Sequence, residues 1–287
     1  MVSKKKEDKL EQMLRKKHLT QAELETAISS AKTSMRRPVQ IPIATEHVKF
    51  GYFSDPHIGH KAFREDGFEK AQRFFKKENV DFIAVPGDHL EGMSGRPGHI
   101  YELSHVGFQR QIDYAASLYN TLNKPIFGID GNHDQWYFKQ NNGGVVVGDE
   151  LEKRVKNYKH LGQDEGDIEL GHNAKIKLFH ANDGSAYASS YKLQKLIESL
   201  TGGDKPGVIL SGHYHKSLYM NKRNVHGFEC ATLSDQSPFM RGKKIAADMG
   251  FGVVDLYMDK HGVERLTHTF VPIYSKNRGV TKYTKRL

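Results

Sequence analysis

The chain has 287 residues, 43 Lys or Arg against 34 Asp or Glu, for a formal net charge of +9 and an isoelectric point of about 9.3. At 37% hydrophobic and 27% charged it reads as one large or two small globular domains, not a disordered or fibrous chain. No apolar run approaches the ~20 residues of a membrane helix, and the single cysteine, Cys230, excludes an internal disulfide and a cysteine zinc finger and fits a reducing, cytoplasmic setting.

The basic excess is not spread evenly. Residues 1–40 hold ten basic residues against five acidic ones, and residues 276–287 hold five basic and no acidic ones. Two ends of +5 therefore flank a body of −1. Met1 to Asp8 turns acidic where a signal peptide would need an apolar core. Residues 1–37 read as two short helices, the second opened by the capping box Thr20-Gln21-Ala22-Glu23. That pair is either a solvated basic arm or a helix-turn-helix, and no clear turn glycine favours the latter. Pro38 and Pro42 then impose an extended linker, which sets the divisions 1–44 (arm and linker), 45–275 (main domain) and 276–287 (basic tail).

From Val48 the pattern changes. A strand at 48–53 is followed by an amphipathic helix at 62–79 and the buried strand 82–85. A helical stretch around 99–121, a strand at 126–129 and a helix near 149–160 come next. Strands near 167–170 and 174–180, a helix at 187–200 and the strand 208–210 continue the chain. Only strand-like segments remain, at 217–220, 225–232, 251–258 and 263–271. Alternating β and α with a β-rich finish predicts a layered α/β sandwich.

The chemistry gathers at the strand ends. Asp55-Pro56-His57 comes directly after the first strand, Gly87-Asp88 after the second and Gly131-Asn132-His133-Asp134 after the third. His180 ends a later strand, and Gly212-His213-Tyr214-His215 the next. Carboxyl ends of strands form the ligand crevice of open α/β sheets. Any one of these residues could be a helix cap or a satisfied core histidine. Five strand ends that each deliver Asp, Asn or His make a set of imidazole nitrogens and hard oxygens suited to borderline divalent metals. Seven ligands exceed the need of one ion, and a central Asp can bridge two.

These motifs resemble those of the calcineurin-like metallophosphoesterases: Asp-x-His, Gly-Asp-x-x-Asp/Asn, Gly-Asn-His-Asp/Glu, a lone His, then Gly-His-x-His. The resemblance spans about residues 48–215, and the β-rich finish fits the family's second sheet. It implies a four-layer α-β-β-α sandwich of two mixed sheets with flanking helices, here with a short N-terminal helical arm. It implies that Asp55, His57 and His215 hold one metal, that Asn132, His180 and His213 hold a second, and that Asp88 bridges them. His133 would be the general acid or transition-state stabiliser, with Asp134 orienting its ring. One departure is Glu91, where the family usually has Asp or Asn at a position that is not generally a ligand. The cofactor implied is a pair of divalent ions, Mn²⁺ foremost, with Fe, Zn²⁺ or Ni²⁺ also compatible with the ligands.

Around this site, His89, Arg96 and His99 belong to a segment that could cap the crevice, and Asp183, Tyr187 and Tyr214 could line its rim. The absence of a Gly-x-Ser-x-Gly elbow and of a phosphate-binding P-loop excludes a serine hydrolase and a nucleotide-driven motor. The expected function is a two-metal phosphodiesterase, foremost a DNA nuclease of the repair or recombination type. In that reading the basic ends grip the polyanion through its phosphates. The alternatives are an enzyme for small nucleotides or phosphomonoesters and, from another class, a non-catalytic scaffold, which the complete ligand set disfavours.

Overall fold

A computed structural model describes residues 39–41, 46–139, 144–184, 186–202 and 205–275. The two helices expected within 1–37 and the basic tail 276–287 lie outside these residues. Of the linker, Val39–Gln40 (β1) pairs in parallel with Ile168 and Glu169, so this extended stretch is an edge strand.

The strands form two six-stranded sheets. One contains β2 (His47–Tyr52), β3 (Phe82–Val85), β4 (Ile126–Asp130) and β5 (Tyr158–Gln163) in parallel. The antiparallel β11 (Gly250–Asp259) and β12 (Gly262–Pro272) extend it beyond β2. The other runs β1, β6 (Glu165–Gly171), β7 (Ala174–His180), β8 (Val208–Gly212), β10 (Val225–Glu229) and β9 (Leu218–Lys222). Within it β7, β8 and β10 are parallel neighbours.

Strand periodicity sorts the side chains into layers. In β3, Phe82 and Ala84 face the second sheet, in one cluster with Leu178, Leu210 and Phe228. Ile83 and Val85 face the opposite way, onto helices α1 (Glu65–Glu78), α2 (Phe108–Tyr119) and α4 (Val147–Arg154). Across the molecule, α5 (Tyr191–Ser199) packs Leu193 and Ile197 on Ile209 and Val225. The result is the four-layer α-β-β-α sandwich.

Two helical expectations change. The segment around 99–121 divides into a 3-10 turn, His99–Glu102, and α2, separated by Gly107 at φ 89°. The helix near 149–160 stops at Arg154, and 158–163 is the edge strand β5. Its period of two is masked because the buried side chain at its centre is His160, bonded to Asp149 and the Gly162 carbonyl, and not an aliphatic one. Two helices with no sequence signal, α3 (Trp136–Lys139) and α6 (Pro238–Gly242), lie near the crevice.

Candidate metal centre

Five parallel strands, β2, β3 and β4 from one sheet and β7 and β8 from the other, end at a common rim, and the polar motifs sit there. The backbone at these ends is unusual. Asp55, His57, Asp88, His213 and His215 all adopt positive φ, between 47° and 84°. Non-glycine residues visit that region at a cost of about 1–3 kcal/mol each, and such strain clusters at functional sites. The motif glycines serve close approach more than bending. A Cβ on Gly131 would lie 2.2 Å from Asp88 Oδ1, and one on Gly87, which does take φ 99°, would lie 2.3 Å from the His180 ring.

The donor atoms converge as metal ligands must. The His57 and His215 Nε2 atoms are 3.1 Å apart, with Asp55 Oδ1 3.4 Å from His215 Nε2. Asn132 Oδ1 lies 3.1 Å from His180 Nε2 and 2.8 Å from His213 Nδ1, and Asp88 Oδ2 lies 3.3 Å from His180 Nε2 and 3.8 Å from His57 Nε2. Three of these imidazoles are anchored through their other nitrogen, as metal-bound histidines are. His180 Nδ1 donates to the Pro86 carbonyl, His213 Nε2 to the Asp183 carbonyl, and His57 Nδ1 lies 2.9 Å from Glu91 Oε2. The outer nitrogens of His180 and His213 are hydrogen-bonded, that of His57 faces the Glu91 carboxylate, and the inner nitrogens face one another. This set fits two divalent ions, one near Asp55, His57 and His215 and one near Asp88, His180 and His213.

The titration behaviour agrees. Burial opposes ionisation of Asp88, but the rings of His180, His133 and His57 hold its carboxyl well below the usual range. Burial also opposes charging of His180 and His133, but Asp88 with Asp55 lifts the first to about 10, and Glu91 with Asp88 lifts the second to about 9. Buried carboxylates here draw protons onto imidazoles to balance their charge. Divalent cations satisfy the same field directly.

His133 lines the cavity beside these ligands, its ring 4.5 Å from that of His57 and 3.9 Å from that of Trp136. Its Nδ1 donates to the Glu91 carbonyl at 2.9 Å, and its backbone N–H donates to Asp88 Oδ1 at 2.8 Å. The expected role of Asp134 does not hold. Its carboxylate accepts the backbone N–H groups of His89, Leu90 and Gly131, so it clamps two ligand-bearing loops together and does not touch the His133 ring. Glu91 takes the orienting position. Its two oxygens reach His99 Nε2 (2.7 Å), His57 Nδ1 (2.9 Å) and His133 Nδ1 (3.5 Å). Sequence reasoning singled out Glu91 only as a departure from the family pattern.

The expected substrate contacts divide. Arg96, His99 and Tyr214 line a cavity of about 430 Å³ at the centre. His89 does not: it is fully buried between the hydroxyls of Tyr119 (2.9 Å) and Tyr158 (2.8 Å), and burial with His160 nearby depresses it to about 3. Tyr187 is fully exposed and outside the cavity lining. Asp183 is also outside the lining and holds Tyr214 and Lys192 with its carboxylate. The rest of the wall was invisible in the sequence: Trp136 from α3 and Phe239, Met240 and Ile245 from the loop containing α6 make it aromatic and aliphatic. Two helices of four and five residues carry too little periodicity to be read.

A family profile described as calcineurin-like phosphoesterase matches residues 48–217, a stretch that contains every candidate ligand. The chain belongs to the calcineurin-like phosphoesterase family, a family that uses divalent metals, and membership supports a phosphoester hydrolase activity. Among curated proteins it is similar to the DNA polymerase II small subunit of Methanothermobacter thermautotrophicus, at 23% identity over 243 aligned residues. That match covers 69% of this chain and 50% of the relative, so the chain spans about half the relative's length. Among solved structures it is similar to an archaeal phosphodiesterase, at 16% identity and a TM-score of 0.47 over 78% of this chain and 99% of the other. It is also similar to the phosphoesterase Yfce from E. coli, at 13% identity and a TM-score of 0.42 over 76% of this chain and 98% of the other. Among the described residues, no helix is long and apolar enough to cross a membrane.

Proposed function

We propose that this chain is a two-metal phosphodiesterase whose substrate is DNA, a nuclease of the repair or recombination type. The observation that carries the hydrolytic part is the convergence of Asp55, His57, Asp88, Asn132, His180, His213 and His215 on two adjoining points, with His133 beside them in one cavity. Asp55, His57 and His215 would hold one ion and Asn132, His180 and His213 the other, with Asp88 placed within reach of both sets. When bound, the ions supply charge to the phosphoryl oxygens and acidify the attacking water, with Mn²⁺ the first ion to test.

The remaining work falls to protein groups. The Asp183 carbonyl holds the His213 ring, and Glu91 fixes His57 and His133 in one orientation. As water adds to phosphorus and the bond to the leaving oxygen breaks, the protonated His133 gives that oxygen its proton, from a ring whose Nδ1 donates to the Glu91 carbonyl and lies 3.5 Å from the Glu91 carboxylate.

The choice of DNA is supported by the basic ends in the sequence, by the aromatic wall, and by a relative whose name places it in a DNA polymerase. The cavity volume, about 430 Å³, favours one other substrate class, a small nucleotide diester. Cleavage of labelled single- and double-stranded DNA with Mn²⁺, beside hydrolysis of bis-p-nitrophenyl phosphate, separates the two. Metal-stimulated cutting of DNA is expected. Turnover of the small diester with DNA left intact refutes the nuclease reading, and inactivity on both refutes the hydrolase.

A further inference from the structure

One stretch of the rim supplies none of the candidate metal ligands: the loop between β10 and β11, residues 230–249. Its outer turn, Pro238–Ile245, supplies Phe239, Met240 and Ile245 to the cavity wall. The same turn exposes Arg241, Lys243 and Lys244, and among the described residues none of these three side chains has a hydrogen-bond or ion-pair partner. The two acids of the loop are engaged elsewhere. Asp235 accepts from the Gln236 N–H and from Ser275 Oγ and lies 3.9 Å from Arg64, and Asp248 caps the Ser217 N–H. Three unneutralised cations beside a phosphoesterase cavity, on a body whose formal charge is −1, form a local positive patch.

The turn is rigidly seated. Ser237 Oγ caps Met240 N–H, the Gln236 amide donates to the Ile245 carbonyl at 2.7 Å, and Ile245 N–H donates back to Met240. Phe239 is 43% exposed, and the Arg96 guanidinium lies 4.8 Å from its ring centroid. Arg96 is held in turn by both oxygens of Glu102, at 3.1 and 2.8 Å. An aromatic platform pinned in this way, followed at once by free cations, has the composition of a surface for unpaired bases and their phosphates. A cavity of about 430 Å³ admits a nucleotide-sized group and not a base-paired duplex.

Building on the nuclease reading, we propose that the 238–245 turn is a track for single-stranded DNA leading into the metal cavity: Phe239 stacks an unpaired base at the mouth, and Arg241, Lys243 and Lys244 hold the phosphates of the adjoining nucleotides. The occupant is a strand that is already unpaired, such as an overhang or a frayed end.

The test is the triple variant Arg241→Ala, Lys243→Ala, Lys244→Ala, in the full chain. Anisotropy of a fluorescent 20-nucleotide single strand, in EDTA so that nothing is cut, gives the affinity across a salt series. With about 0.7 counterions released per single-strand phosphate contact, losing three contacts lowers the slope of log K against log salt by about 2. Affinity at 100 mM salt falls at least roughly tenfold, and hydrolysis of bis-p-nitrophenyl phosphate with Mn²⁺ stays within about twofold of wild type, which also reports an intact fold. Phe239→Leu, read with 2-aminopurine in the strand, reduces quenching of the base by stacking. Wild-type binding and cutting of single strands with an unchanged salt slope in the triple variant overturns the track alone. An equal loss on blunt duplex overturns the single-strand assignment. A wild-type protein that hydrolyses the small diester but neither binds nor cuts DNA overturns the nuclease reading and the track with it.

Discussion

Replacing Glu91 with glutamine keeps the length of the side chain and removes its charge, at a point where three imidazoles meet. One oxygen accepts from His99 Nε2 at 2.7 Å, and the other lies 2.9 Å from His57 Nδ1 and 3.5 Å from His133 Nδ1. His99 must donate toward Glu91, because its Nδ1 already accepts the Ser94 N–H. A glutamine amide can accept that bond through its oxygen. It then presents its NH₂ group, a donor, to the N–H of His57. The anchoring of His57 is lost or inverted. Loss of such a carboxylate partner behind a metal-binding histidine weakens metal affinity by about 10–100-fold, or ~1.4–2.7 kcal/mol. The same change removes the stronger of the two carboxylates that lift His133 to about 9 against its burial. Protonated His133 therefore disappears at lower pH in the variant, and the alkaline limb of kcat moves toward neutrality. Glu91→Asn, the shorter residue usual in the family, cannot span the same gap and behaves like Gln or worse. Mn²⁺ titration by calorimetry gives the affinity, and the pH profile of kcat on bis-p-nitrophenyl phosphate gives the second readout. Unchanged Mn²⁺ affinity together with an unchanged alkaline limb refutes the orienting role.

Asp134→Ala leaves three buried backbone N–H groups without their acceptor, at about 1–3 kcal/mol for an unsatisfied group, and urea unfolding should show a loss of at least ~3 kcal/mol. A variant as stable as wild type would refute the clamp. His89 is held neutral by burial, near 3 against an ordinary 6.5, so the unfolded chain binds the extra proton. Its contribution is intact above pH 6.5 and is lost as pH falls toward 3, by ~2 kcal/mol at pH 5, and urea unfolding of wild type against His89→Gln at pH 7 and 5 measures it. Glu229 has the opposite sign. Burial lifts it to about 7 against the pull of Lys216, so its cost is absent below pH 4.5 and complete above 7. Glu229→Gln should gain about 2 kcal/mol at pH 8 after allowance for screening and nothing at pH 4, and equal stability of the two proteins at pH 8 would contradict this.

The layers and the strand ends were legible because both rest on strong local signals. Phe82 to Val85 is apolar on both faces because helices cover one side and a second sheet the other, and a run of that kind is hard to mistake. The ligand motifs are short, each tied to a strand end. The features that escaped were set by contacts distant in sequence. His160 hides a strand because its burial is satisfied by Asp149 and by a carbonyl two residues on. The orienting role expected of Asp134 falls to Glu91: the carboxylate adjacent to His133 in sequence turns to backbone amides, and one 42 residues earlier reaches the ring. His89 follows Asp88 directly, but the positive φ of Asp88 sends the two side chains to opposite environments, the metal cavity and a pair of buried tyrosines. Adjacency to a ligand is thus a weak guide where the backbone turns at five of the seven candidate ligands.

The same turning explains why the site needs this much fold behind it. Five residues at positive φ and several buried charges make the rim intrinsically costly. Each strained position is fixed by a bond from another loop. Asp55 accepts the His213 N–H, Asp88 accepts the His133 N–H, the Asp55 N–H reaches the Gly87 carbonyl, and the His57 N–H reaches the Asp88 carbonyl. The ligand-bearing loops therefore brace one another, with the two sheets as their common foundation. Loosening one loop releases strain in the others, so substitutions at these contacts should act cooperatively and not add independently. Among the described residues, the 238–245 turn joins this network through Arg96 over Phe239 and through hydrogen bonds within its own loop. That separation is what allows its cations to be removed without disturbing the chemistry beneath.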